Sequence, residues 1–201
     1  MIEKLLTTTK AALIVNEMQV GNFKMFPALG AEVERRAIVP KIAELAAAFR
    51  ARGLPVIHTP TMHHPNLADV KRNSMIASFV LKTRAMIKGT EDAWYVEGLE
   101  PEPDDHVSQR SSGIFAFQGT DLNVRLRRMG VDTIVLVGVS STLGIPGLAF
   151  AGVDLAFHVI VPEDCIAGTD QRVHEILVQE QLRIVATITT KDEMIAALGQ
   201  P

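Results

Sequence analysis

Several polar side chains fall just beyond short apolar runs, where neighbouring loops can bring them together. Glu17 follows Ala12–Val15 across Asn16, and Gln19 stands two residues on. His58 follows Val56-Ile57, with His63-His64 a few residues later, and Ser140-Ser141 close the run that begins at Thr133. A half-sheltered carboxylate can pass a proton, an imidazole can do so or ligate a metal, and hydroxyls or their amides can receive developing negative charge. Plainer assignments stand beside these. Glu17 can be a solvated loop acid, His58 a hydrogen-bonded structural residue, and Ser140-Ser141 a helix cap. Adjacent His63 and His64 do not easily share one ion and no Asp-x-His spacing joins them, so neither metal nor cofactor is expected. The single cysteine, Cys165, lies beside Glu163-Asp164 with no basic neighbour and is assigned to structure. Rings such as Phe23, Trp94, Phe115 and Phe117 are more often core or interface than substrate cage; Phe23 and Phe117 are kept as candidate wall residues.

The elements that would position these groups alternate. Ala12–Val15, Pro55–Thr59, Thr133–Val137, Phe157–Val161 and Ile184–Thr187 form apolar strand-like runs. Between them, Ile38, Ile42, Leu45, Ala46 and Phe49 share one helical face, stopped at Gly53. Thr120-Asp121 can cap a helix striped by Leu122, Leu126 and Met129. Gly144–Gly152 is expected to start another helix, with Pro146 in its first turn, and a further helix is placed near Arg172–Gln181. This alternation predicts an α/β fold, a parallel sheet covered by helices on both faces, as one domain over residues 1–201. In such sheets ligands sit beyond the carboxyl ends of the strands, where the polar residues fall.

Composition narrows the function. The 201 residues are 47% hydrophobic and 21% charged with a formal net charge of −3, so the chain can bury a core and has no basic face for nucleic acid. No apolar run approaches the ~20 residues of a membrane span, the start lacks a leader-like apolar core, and one cysteine suits a reducing cytoplasm. There is no G-x-G-x-x-G, no P-loop and no G-x-S-x-G elbow.

Four segments, in order, carry a resemblance. Ala12-Leu-Ile-Val-Asn-Glu-Met-Gln19 is similar to the "LLVIDMQ" opening of the isochorismatase-like, or cysteine hydrolase, superfamily. Phe117–Leu122 resembles its "F-x-G-T-x-L" segment, Gly130–Val139 its "GVDTVVLVGV" strand, and Val161–Ala167 its "V-x-D-A-x-A" strand end. The resemblance implies a three-layer α/β/α sandwich with a parallel six-stranded sheet. It also implies a catalytic aspartate, lysine and cysteine, which carry over here to Glu17, to Ser111 with Arg110 beside it, and to Gly144. Glycine offers no nucleophile, so a thioester route is closed at that position. Isochorismatases proper also carry glycine there and hydrolyse a vinyl ether with a proton donor and water. The peptide bond commonly cis in the family would be Val139–Ser140.

Two functions follow from the resemblance. One is a hydrolase without a covalent nucleophile, acting on a small metabolite: Glu17 is the acid/base, Arg110 or Ser111 orients the substrate, and the Ser140–Gly144 amides receive negative charge, with Gln19, Phe23, His58, Phe117 and Ser141 around the ligand. The other is a non-catalytic descendant that binds a small molecule or serves as an oligomeric scaffold. The resemblance implies a homo-oligomer, dimer or tetramer. Independently, the stretch 73–88 carries Met75, Ile76, Phe79, Val80, Leu81, Met86 and Ile87, which suits a subunit contact or a further helix covering the sheet.

Overall fold

The computed structural model describes residues 2–199. In chain order the elements are α1 (Ile2–Thr8), β1 (Lys10–Asn16), α2 (Val20–Met25), α3 (Pro27–Arg35), α4 (Ile38–Ala51), β2 (Val56–Thr59), α5 (Met75–Thr83), β3 (His106–Val107), α6 (Leu122–Arg128), β4 (Val131–Val139), α7 (Gly144–Asp154), β5 (His158–Pro162), β6 (Ile166–Ala167), α8 (Gln171–Leu177), α9 (Arg183–Val185), β7 (Thr187–Thr189) and α10 (Lys191–Leu198). The strands form one parallel sheet in the order β3-β2-β1-β4-β5-β7, a path of six, and short β6 adds to the end of β4.

Strand periodicity divides the interior in two. Leu13, Val15, Val135 and Val137 point toward α3, α4 and α10, where Ile38, Ile42, Leu45, Phe49 and Met194 meet them. Ala12, Ile14, Ile134 and Leu136 point the other way, onto Leu122 and Leu126 of α6 and Ile145 and Leu148 of α7. Each such fully buried aliphatic side chain stabilises the sandwich by about 1.5–3 kcal/mol relative to exposure. Both faces of β1 and β4 are therefore dry, which is why these strands are near-continuous apolar runs.

The register sets up the site. Asn16, the last residue of β1, pairs with Thr59 on one side and Gly138 on the other, so three strands end at the same level. Two sequence expectations need correction. The last strand is not Ile184–Thr187: α8 runs through a π-helical stretch, Val178–Leu182, into α9, which takes up Ile184 and delays the strand to Thr187. The stretch around Asn73–Lys88 does contain a helix, α5, capped by the Ser74 hydroxyl, which accepts from the Ala77 amide at 3.1 Å. It does not cover the sheet. Val80 packs with Leu67 and Ile87 in a separate small cluster, and Phe79 stacks on Phe26 with ring centroids 6.1 Å apart. No helix among the described residues is long and apolar enough to cross a membrane.

Candidate active site

Glu17 leaves β1 in a left-handed conformation (φ +52°), and this turn swings its side chain out of the strand's alternation. The turn is held from inside. The Gln19 amide donates to the Glu17 carbonyl at 2.8 Å, and Asn22 Nδ2 donates to the same oxygen at 2.8 Å. The carboxylate is then met by two donors on Oε1, the Thr61 hydroxyl at 2.8 Å and a guanidinium nitrogen of Arg110. Arg110 reaches it because its backbone bridges to Thr61 and its amide bonds to the Pro60 carbonyl. The Arg110 side chain is 3% exposed and that of Glu17 19%, so this is a sheltered ion pair. Nη2 of Arg110 also donates to the Ile114 carbonyl at 2.9 Å, whereas its buried Nε and Nη1 have no partner among the described residues.

Opposite Glu17, β4 ends in a cis Val139–Ser140 peptide, followed by a tight loop into α7. Asn16 ties the two strand ends together: Nδ2 donates to the Val139 carbonyl at 2.5 Å, while Oδ1 accepts from the Thr59 hydroxyl at 2.9 Å. A Cβ placed on Gly144 would lie 3.4 Å from Glu17 Oε2 but only 2.7 Å from Asn16 Nδ2 and 3.0 Å from the Val139 oxygen. Restoring a thiol here is therefore obstructed. Gly144→Cys is expected to lower stability by about 1–3 kcal/mol, as overpacking of a tight site does, and to form no thioester. Thermal melts and intact-mass spectra after incubation with primary amides check both.

These residues open onto a cavity of about 850 Å³. It is lined by polar residues that include Glu17, Thr61, His63, Ser140 and Thr142, by Gly144, and by apolar residues that include Met25, Phe26, Ile76, Val80, Ile114 and Phe115. Residues 69–71 and 73–77, which lead into and begin α5, form one wall.

Glu17, Ser140 and Gly144 are thus brought to one cavity, with Arg110 behind Glu17. Six other candidates lie elsewhere. Gln19 is fully buried, donating to the Thr61 and Ala93 carbonyls and accepting from the Thr61 amide, so it braces Thr61 and does not meet a ligand. His58 points to the opposite face of β2, where Nε2 lies 3.2 Å from Asp105 and the ring sits edge-on to Tyr95. Ser111 is not among the cavity's lining residues, and its carbonyl accepts from His63 Nδ1 at 2.6 Å; the cation that meets Glu17 is Arg110. Phe23 packs into the core on the α4 face and Phe117 stacks on Phe157, while Phe26 and Phe115 supply the cavity's rings. Ser141 turns inward to His174. His63 and His64 diverge, the latter bonding Asn66, and among the described residues no group of three His, Cys, Asp or Glu could hold a metal.

Asn16, Thr61, Thr142 and the wall before α5 were not selected from sequence. Asn16 carried a signal, a polar side chain at the buried end of an apolar strand, which must find partners.

Burial also sets charge states away from the cavity. Desolvation holds the imidazoles of His58 and His174 below the ordinary histidine value, while burial pushes the Cys165 thiol up, out of reach of nucleophilic use. For the histidines the folded value lies below the unfolded one, so unfolding takes up protons and stability falls as pH drops below ~6.5. Each contributes a slope of at most about 1.4 kcal/mol per pH unit. Urea titrations at pH 7.5 and 5.5 are expected to show a lower midpoint at the acidic pH, and His58→Gln to reduce the difference.

The fold has counterparts. Residues 11–193 match the isochorismatase domain. The chain is 28% identical over 195 residues to the uncharacterized isochorismatase family protein YecD of Escherichia coli O157:H7, covering 96% of this chain and 98% of that protein. It is 30% identical over 146 residues to a maleamate amidohydrolase of Pseudomonas putida, covering 69% of this chain and 64% of that enzyme. Among solved structures, an isochorismatase family protein from Desulfovibrio vulgaris superimposes with a TM-score of 0.82 at 27% identity, covering 96% of this chain and 100% of that one. The chain belongs to the isochorismatase family.

Proposed function

We propose that the protein is a hydrolase that adds water directly to a small metabolite bearing an amide or a vinyl ether, without a covalent enzyme intermediate. The observation that carries this is the placement of Glu17 Oε2 3.4 Å from the position a side chain on Gly144 would take. The carboxylate stands beside Gly144, the position to which the resemblance carries the family's nucleophile, and glycine offers none. In an amide hydrolysis, Glu17 takes a proton from water as its oxygen bonds to the carbonyl carbon. The backbone amides of Ser140 and Gly144 receive the charge on the carbonyl oxygen, and Glu17 returns the proton to the departing nitrogen as the C–N bond breaks. For a vinyl ether, Glu17 enters as the carboxylic acid, gives its proton to the alkene carbon and takes one back from the water whose oxygen bonds to the adjacent carbon. The hemiketal so formed breaks its C–O bond, its hydroxyl proton passing to the leaving oxygen, to give a carbonyl compound and an alcohol. Arg110 holds the carboxylate aimed at the cavity; a guanidinium cannot itself serve as the acid. The name of the Pseudomonas relative supports a small amide as substrate.

The test is a panel of small primary amides and enol ethers, with product release followed by mass spectrometry and the protein mass recorded during turnover. Turnover with an unmodified protein mass supports the reading. An acyl or alkyl adduct on any residue overturns it, and saturable binding with no turnover of any member identifies a binding protein that has kept the pocket and lost the reaction.

A further inference from the structure

Outside the cavity, three side chains stand in series. Glu163 Oε2 lies 3.5 Å from His174 Nε2, and His174 Nδ1 lies 3.0 Å from Ser141 Oγ. Carboxylate, imidazole and hydroxyl in that order are the parts of a nucleophilic relay. Access decides against one: Ser141 is 0% exposed, and its neighbours Ser140 and Thr142, not Ser141 itself, line the cavity. No substrate reaches its oxygen.

What the series does control is the loop. Ser141 is gripped on its main chain, where its amide donates to the Ala167 carbonyl at 2.8 Å. Its side chain fits a niche so close that a Cβ on Gly168 would lie 2.6 Å from Oγ. His174, buried on α8, supplies the hydrogen-bond partner for that side chain. The residues on either side of Ser141, Ser140 and Thr142, line the cavity. We infer that His174 is a positioning residue: through Ser141 it holds in place the Ser140–Gly144 loop, whose Ser140, Thr142 and Gly144 line the cavity. This rests on the proposed hydrolysis for its kinetic consequence but not for its structural one.

The protonation pattern follows from the surroundings. Arg36, lying between α3 and α4, faces the imidazole and opposes a second proton, as burial does, while Glu163 and Glu175 favour one. With Nε2–H directed to Glu163, the neutral ring offers Nδ1 as an acceptor and the Ser141 hydroxyl donates to it. A proton on Nδ1 would set N–H against O–H. The hydroxyl would have to rotate to accept from Nδ1–H, and its own hydrogen would lose its acceptor, which changes how Ser141 is held.

Three variants test this: His174→Phe, His174→Asn and Ser141→Ala. Phenylalanine fills the site without an acceptor, whereas an asparagine oxygen can stand near Nδ1. Loop misplacement acts on the transition state, so His174→Phe and Ser141→Ala are each expected to lower kcat about tenfold or more with KM within about twofold, and His174→Asn to recover most of it. Nuclear magnetic resonance gives a readout independent of substrate. The ring nitrogens of His174 are expected to show Nδ1 unprotonated at neutral pH. The amide signals of Ser140, Thr142 and Gly144 are expected to shift in Ser141→Ala and to follow the His174 titration. If those amides stay unmoved, or Nδ1 carries the proton at neutral pH, the inference is overturned. If the amides move as expected while no substrate is turned over, it is the proposed hydrolysis that fails. Should His174→Phe not fold, Ser141→Ala and the titration still decide.

Discussion

Glu17→Gln is expected to lower kcat by about 10²–10⁴-fold, the usual worth of a positioned general acid–base group. The amide has nearly the carboxylate's shape and its oxygen can still accept from Thr61 and Arg110, the two partners of Oε1. What it cannot do is take a proton from water. The loss is therefore expected in kcat, with KM changed by no more than about threefold, because the apolar body of the cavity is untouched. A thermal melt run alongside separates chemistry from folding. Activity within threefold of the parent would remove Glu17 from the mechanism.

The largest effect on stability is expected at Gly138. This residue sits inside the central strand pair, opposite Asn16, with φ near +101°. A Cβ there would lie 2.3 Å from the Asn16 backbone oxygen, a main-chain atom that cannot rotate aside. Gly138→Ala adds a strained conformation to a backbone clash, together about 4 kcal/mol or more, a large share of an ordinary domain's stability. A strongly lowered urea midpoint or loss of soluble protein is expected, and any protein that does fold should have Asn16 and Glu17 displaced and be inactive. An unchanged midpoint would mean that β1 and β4 can separate at no cost, contrary to their packing.

The parts of this molecule legible in the sequence are those where one periodicity dominates. α4 shows its face through Ile38, Ile42, Leu45 and Phe49, and β4 is apolar because both its faces are covered. The carboxyl ends of β1 and β4 were likewise visible as the place for polar residues. Which side chain turns inward was not. His58 and Thr59 are adjacent on β2 and face opposite ways, and spacing cannot say which one meets β1's end. Counting along the chain put Ser111 at the lysine position. The bridge between Thr61 and Arg110 brings the residue before Ser111 to Glu17, through a contact between segments far apart in sequence. Phe23 and Phe26 differ by less than one helical turn and by a change of element, from α2 into the start of α3, yet only Phe26 borders the cavity. The apolar stretch around α5 was visible as excess apolar area, but nothing in its composition distinguishes a cavity wall from a subunit contact.

The cavity wall includes three methionines, Met25, Met75 and Met86, drawn from three separate parts of the chain. An unbranched thioether has several low-energy shapes and yields to what presses on it, unlike a wall of branched aliphatic residues. Such a wall discriminates poorly between molecules that differ in the outline of their apolar portion. Under the proposed hydrolysis, selection among substrates then falls to the polar groups around Glu17, where a missing hydrogen-bonding group leaves fixed donors unanswered. The expected profile is tolerance of varied hydrocarbon bodies combined with strict demands on the group presented to Glu17.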